Sequence, residues 1–186
     1  MYLMGALGVL FVSGEYGTGM IRSTLTAVPH RVPVVWAKAL VLSVVGVITM
    51  TAASFAAFIA AQALISHYRT GYSLGDPAVL RVVIGTGIFL TLIALFGSAL
   101  GWILRSTPAA LVTFFGLVVA LPVLLTVIGS AGRSIAQYSP IFAGSSFIQT
   151  KFESPSLAPW TGLLVLVVWV AVAMAAGVWR LLRHDA

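Results

Sequence analysis

Long runs of apolar residues, separated by short polar segments, form the main pattern of this chain. Each long run reaches the roughly 20 residues that an α-helix needs to cross a bilayer. The run from Ala39 to Ile65 has no charge and is longer than this, so its helix should tilt or project from the membrane. The pattern predicts an all-α bundle in one transmembrane domain, with four full spans at residues 34–65, 82–104, 109–129 and 160–179.

The first apolar segment, Tyr2–Val12, is too short to be a complete span. A helix of this length covers about 16 Å, roughly half of the hydrocarbon core of a bilayer. The segment also lacks the basic start and the small-residue cleavage site of a signal peptide. We therefore expect residues 1–13 to be the tail end of a fifth span that begins outside this chain.

Composition supports a membrane protein and excludes several other classes. Hydrophobic residues make up 60% of the chain and charged residues only 8%, whereas soluble domains have about a quarter charged. The net charge of +6 comes from dispersed basic residues at predicted helix ends, so we expect lipid-bilayer contact and no nucleic-acid binding. Cysteine is absent, which excludes disulfides and thiolate chemistry.

Proline marks two features of the predicted helices. Ser139-Pro140 is a typical helix start, and the apolar residues at 141, 148 and 152 recur at helical spacing. The loop at 130–159 is therefore expected to contain a short amphipathic helix, which either covers the bundle or acts as a gate. Pro122 lies inside a span and should kink it by freeing the carbonyl of Val118.

Small residues recur at a spacing of four within two spans. Such stripes let helix backbones approach closely in lipid, where the hydrophobic effect does not drive helices together. They are expected to serve packing inside the bundle or, alternatively, a dimer interface. The candidate residues are Ala53, Ala57, Ala61, Gly97 and Gly101.

The distribution of basic residues predicts the orientation in a cell membrane. If the segment at 14–33 is cytoplasmic, six basic residues lie inside and four outside, and the outside loops are longer. The carboxyl terminus is then cytoplasmic. The inside residues are Arg22, Arg31, Lys38, Arg105, Arg180 and Arg183.

The predicted spans lack the side chains that several membrane activities need. No ionisable group lies deep within a span, which argues against a proton-coupled carrier. Neither H-E-x-x-H nor G-x-S-x-G occurs, so an intramembrane enzyme or a metal site is not indicated. The sequence also has no P-loop. We therefore expect no catalysis and no cofactor, and any uphill transport would draw its energy from another polypeptide.

The segment from Ser13 to Arg31 is polar and rich in glycine, unlike its surroundings. Within it, Ile21, Leu25 and Val28 fall on one side of a helical wheel, and Arg22 falls on the other. The segment at 14–33 is either a short amphipathic helix that offers one face to a cytoplasmic partner or an interfacial elbow with solvated charges.

Three separated blocks of sequence resemble the ABC type-2 permease family. The block GEYGTGMIRSTLTAVPHR resembles the G-E-Y-x-x-G-x-I-R-x-x-L pattern that follows the second span of these permeases. YSPIFAG at Tyr138–Gly144 is similar to their outer-loop Y-x-P-x-x-A-G, and the chain from Pro155 to Ala186 is similar to their last span and its Arg-rich ending.

The resemblance implies a permease subunit of an ATP-binding cassette exporter, paired with a second permease copy and with separate ATP-binding subunits. It implies that the segment at 14–33 is a coupling element resting on the ATPase. The residues that match the family motif are Glu15, Tyr16, Gly19, Ile21, Arg22 and Leu25. Compared with the family pattern, we expect this sequence to lack the amphipathic connecting helix, the first span and half of the second. The alternative, drawn from the small-residue helix faces, is a membrane scaffold or assembly protein that transports nothing.

Overall fold

The computed structural model of the chain describes residues 1–21, 31–65, 77–149 and 156–183. In these ranges the chain is all-helical, as the sequence predicts. We number the helices α1 (Tyr2–Gly17), α2 (Arg31–Ile65), α3 (Pro77–Leu104), α4 (Thr107–Val127), α5 (Ser130–Ala136), α6 (Pro140–Ile148) and α7 (Pro159–Arg183). Within the described ranges, four of them are long and apolar enough to cross a membrane, namely α2, α3, α4 and α7.

Helix α3 is the centre of the bundle, and α1, α2 and α7 pack around it. Half of its most apolar window is buried, compared with only 6% of the corresponding window of α2. Its inward side chains include Phe89, Phe96 and Trp102, which are almost fully buried. The fold is therefore a helix-on-helix core built on α3, with α2 lying largely on the outside.

Glycines allow α1 to lie directly against α3. A Cβ at Gly97 would collide with the backbone carbonyl oxygen of Gly5, and one at Gly8 would collide with the carbonyl of Ala94. Gly101 also faces α1, where an added Cβ would lie 3.1 Å from Cβ of Val12. Close backbone contact of this kind replaces the hydrophobic drive that lipid does not supply.

Replacing Gly97 with alanine is expected to lower the free energy of unfolding by about 2 kcal/mol, because the new methyl group meets backbone that cannot rotate away. Denaturation of the purified chain by sodium dodecyl sulfate measures the change. Gly14→Ala is the matched control, since no atom lies within 4 Å of a Cβ at Gly14. Alanine there should be neutral or stabilise the helix. Equal effects of the two substitutions would show that the α1–α3 contact is not tight.

Helix α4 accommodates Pro122 by widening. Residues Gly116–Ala120 form a π-helical turn, and the N–H of Leu121 bonds to the carbonyl oxygen of Gly116, five residues back. Proline has no N–H to complete the α-helical ladder, and a wider turn is one of the ways in which a helix absorbs this defect. The irregularity predicted at Pro122 thus takes the form of a π turn that precedes the proline. The helix begins at Thr107, and Ser106 is its N-cap residue.

The segment predicted as a helical outer loop contains α5 and α6. Helix α6 begins at Pro140, as the Ser139-Pro140 pair predicts, but it ends at Ile148. Its small residues face the bundle, because a Cβ at Gly144 would overlap the ring of Phe89 on α3. Phe147 is buried and its ring packs edge-on against Trp160. Helix α6 therefore packs against both α3 and α7.

Candidate functional site

The polar end of α1 carries the candidate site. The apolar pattern predicts that the helix ends near Val12, yet α1 continues to Gly17 and includes Glu15 and Tyr16 in its last turns. The helix can extend because its polar side chains find partners on neighbouring helices. The hydroxyl of Thr107, at the start of α4, donates a hydrogen bond to Oγ of the fully buried Ser13 over 2.9 Å.

Glu15 forms an ion pair with Lys38, which lies in the second turn of α2. The side chains of Lys38 and Glu15 are only 15% and 26% exposed, so water screens the pair incompletely. The ammonium group of Lys38 also lies 5.5 Å from the ring centre of Trp102 and 6.0 Å from that of Phe11. Lys38 therefore links α1, α2 and α3 through one charge and two aromatic rings.

Tyr16 and Arg105 extend these contacts to the end of α3. The ring of Tyr16 packs edge-on against Trp102, with ring centres 6.1 Å apart, and the guanidinium of Arg105 lies 5.7 Å from the Tyr16 ring centre. Arg105 has φ of 54°, a left-handed conformation that is uncommon for residues other than glycine. This backbone conformation ends α3 and lets α4 start two residues later.

Arg105 also reaches the end of α7. Its Nη2 donates a hydrogen bond to the backbone carbonyl oxygen of Arg180 over 3.3 Å. That carbonyl lies in the last turn of α7, where carbonyl groups have no partner within the helix. These contacts connect the carboxyl-terminal ends of α1, α3 and α7 with the start of α2, all on one side of the bundle. We call the residues involved the junction cluster: Glu15, Tyr16, Lys38, Trp102 and Arg105.

Two further residues of the predicted coupling set lie close to the junction cluster in sequence. Gly19 has φ of +74°, a conformation that favours glycine, and it lies two residues beyond Gly17, the last residue of α1. Ile21 is 4% exposed and belongs to the core. Arg22 and Leu25 lie outside the described residues, so the predicted amphipathic helix at this segment remains a prediction.

The predicted packing residues fall into two groups. Gly97 and Gly101 lie inside the bundle against α1. Ala53, Ala57 and Ala61 are exposed on α2. The first group therefore packs within the chain, and the second faces lipid or another molecule.

Sequence reasoning placed Lys38 and Arg105 at helix ends but did not join them to Glu15 and Tyr16. Glu15 and Lys38 are 23 positions apart, a separation that carries no local signal. The order of the spans does carry a signal. In an up-and-down bundle, the end of α1, the start of α2 and the end of α3 lie on the same side of the membrane. Trp102 lies two residues before the end of a predicted span and three before Arg105, and no local pattern marks it as part of the site.

The contacts of the junction cluster hold helix ends together. It pairs opposite charges, stacks cations on rings and caps a helix end. In the described part of the chain, no three histidine or acidic side chains come together as metal ligands would.

Comparisons with family models, with curated proteins and with solved structures found no match to this chain.

Proposed function

We propose that this chain is the membrane subunit of an ATP-binding cassette exporter of the type-2 permease class, with ATP hydrolysis on a separate subunit. The observation that carries the proposal is the junction cluster, in which Glu15 and Tyr16 of the motif-bearing segment at 14–33 tie the end of α1 to α2 and α3, and Arg105 continues the contacts to α7. The resemblance of that segment to the G-E-Y-x-x-G-x-I-R-x-x-L motif supplies the functional class.

The junction cluster gives this segment a physical route to the bundle. Force applied to residues that follow Gly17 acts on the last turn of α1, where Glu15 and Tyr16 are held by neighbours. Because Lys38 and Trp102 belong to α2 and α3, displacement of α1 must displace these helices or break the contacts. An ATPase docked at this end would thus move several spans together.

The proposal includes an orientation in the cell membrane and a second copy of the subunit. The junction cluster lies at the cytoplasmic surface of the cell membrane, together with the carboxyl terminus, since basic residues are more numerous at this end. A second permease copy completes the transport path. The exposed alanines on α2 offer a face on which another helix can approach closely.

Co-expression tests the proposal. The full-length gene product is expressed with the P-loop ATPase sought in the neighbouring reading frame, and both subunit association and ATP-dependent export are measured. We expect Glu15→Ala and Arg22→Ala each to reduce export by roughly ten-fold or more, the effect of losing about 1.4 kcal/mol of coupling contact.

Arg133→Ala is the matched control, because Arg133 is an exposed arginine on α5 at the opposite end of the bundle. It should leave export and association unchanged. If Glu15→Ala and Arg22→Ala have no more effect than this control, the coupling role is wrong. If no ATPase binds the wild-type chain, the scaffold alternative is favoured.

A further inference from the structure

The carboxyl-terminal end of α7 combines a lipid-facing apolar stripe with two arginines. Exposed residues recur along one side of the helix over about 27 Å, close to the thickness of a hydrocarbon core. The stripe ends at Trp179 and Leu182, which are more than half exposed. Its members are Leu164, Val168, Val172, Ala175, Trp179 and Leu182.

The positive charges lie where this stripe meets the polar end of the bundle. Arg183 is exposed, and its guanidinium stacks on the ring of Trp179 with the central carbon 4.6 Å from the ring centre. Arg180 is half-buried one helical turn back, and the guanidinium of Arg105 is bonded to its carbonyl oxygen. Three guanidinium-bearing residues therefore converge on the end of α7.

In the described part of the chain, no acidic side chain pairs with Arg180 or Arg183. Glu15 is the only carboxylic side chain there, and it is bound to Lys38. Among the described side chains, this end of the bundle carries Lys38, Arg105, Arg180 and Arg183 against Glu15 alone. This end therefore has an excess of positive charge at the level of lipid headgroups.

We propose that the end of α7 binds an anionic phospholipid, with the phosphate on Arg180 and Arg183 and an acyl chain along the stripe beside Trp179. A phospholipid satisfies both observations, because it alone brings an apolar chain and a phosphate together at this depth. Tryptophan favours the interfacial level, and the positive charge of each arginine attracts an anionic headgroup. The inference does not depend on the proposed export function.

Quenching of tryptophan fluorescence tests the site. The purified chain is reconstituted in phosphatidylcholine nanodiscs that contain equal fractions of either brominated phosphatidylglycerol or brominated phosphatidylcholine. The contribution of Trp179 is the difference between wild type and Trp179→Phe. We expect phosphatidylglycerol to be preferred at Trp179 by roughly five-fold for each arginine that contacts it.

The double variant R180Q/R183Q should abolish the preference, whereas R180K/R183K should retain most of it because the charges remain. R133Q, which removes an exposed arginine at the other end, should retain all of it. If R180K/R183K still prefers phosphatidylglycerol and R180Q/R183Q does not, the loss in the glutamine variant comes from the missing charges.

Three results would overturn the proposal. The first is equal quenching of Trp179 by the two lipids in the wild type, and the second is a preference that survives R180Q/R183Q. The third is loss of the preference on adding soluble glycerol phosphate, which would show recognition of free phosphate. If the second result is accompanied by weaker ATPase association, these arginines contact protein instead of lipid.

Discussion

Trp102→Ala is expected to lower the free energy of unfolding by about 3 kcal/mol, the largest single effect in the bundle. Trp102 is 1% exposed and lies between α1 and α7 at the junction cluster. Truncating a buried tryptophan in a soluble core costs about 3–5 kcal/mol. The lower end applies here, because lipid solvates apolar groups in the unfolded state and the loss is mainly of packing.

The neighbours of Trp102 explain why the cavity cannot close. A Cβ at Gly177 on α7 would lie 2.9 Å from Cβ of Trp102 and 3.5 Å from the carbonyl oxygen of Ala99, so α3 and α7 already pack closely at this level. The ring also packs against Tyr16 and lies beneath the ammonium group of Lys38. Removing it opens a gap between three helices and deprives two side chains of a partner.

Denaturant titration in mild detergent measures the change, with Trp36→Ala as control. Trp36 is 60% exposed on α2, near the same end of the bundle. Its replacement should change stability by no more than about 0.5 kcal/mol. Similar losses in the two variants would mean that Trp102 is not a packing centre.

Hydrophobic patterning was sufficient to predict the fold class and the four long helices. A span is fixed by local composition, because every backbone polar group in lipid must be satisfied within its own helix. Helix ends were less predictable. Helix α1 continues past Val12 because Ser13 and Glu15 find partners on α4 and α2, and no local pattern reveals partners that distant.

The candidate site was predictable only in part. Glu15 and Tyr16 were identified through their motif, whereas Lys38, Trp102 and Arg105 join them through tertiary packing. The left-handed conformation of Arg105 was not foreseeable, because glycine or asparagine is the residue expected at such a position. Several contacts of Arg105, with Tyr16 and with the end of α7, offset the unfavourable backbone.

Glu15→Ala and Lys38→Ala should each lower the free energy of unfolding by about 2 kcal/mol. Each substitution leaves the other charge without its partner in a poorly screened site. This cost is larger than the roughly 0–1 kcal/mol of an exposed pair and smaller than the 3–5 kcal/mol of a fully buried one. Lys38→Ala should be the more severe, because it also removes the cation–π contact with Trp102, which adds about 0.5–1 kcal/mol.

A double-mutant cycle separates the pair from its surroundings. The double variant should be less destabilised than the sum of the single ones by about 1–2 kcal/mol, since removing both groups leaves no orphaned charge. Lys38→Arg should retain most of the stability by keeping the charge. Additive losses within about 0.5 kcal/mol would mean that Glu15 and Lys38 do not interact. The last turn of α1 would then be held by Tyr16 and Ser13 alone, and a force applied beyond Gly17 would no longer reach α2 through a charge.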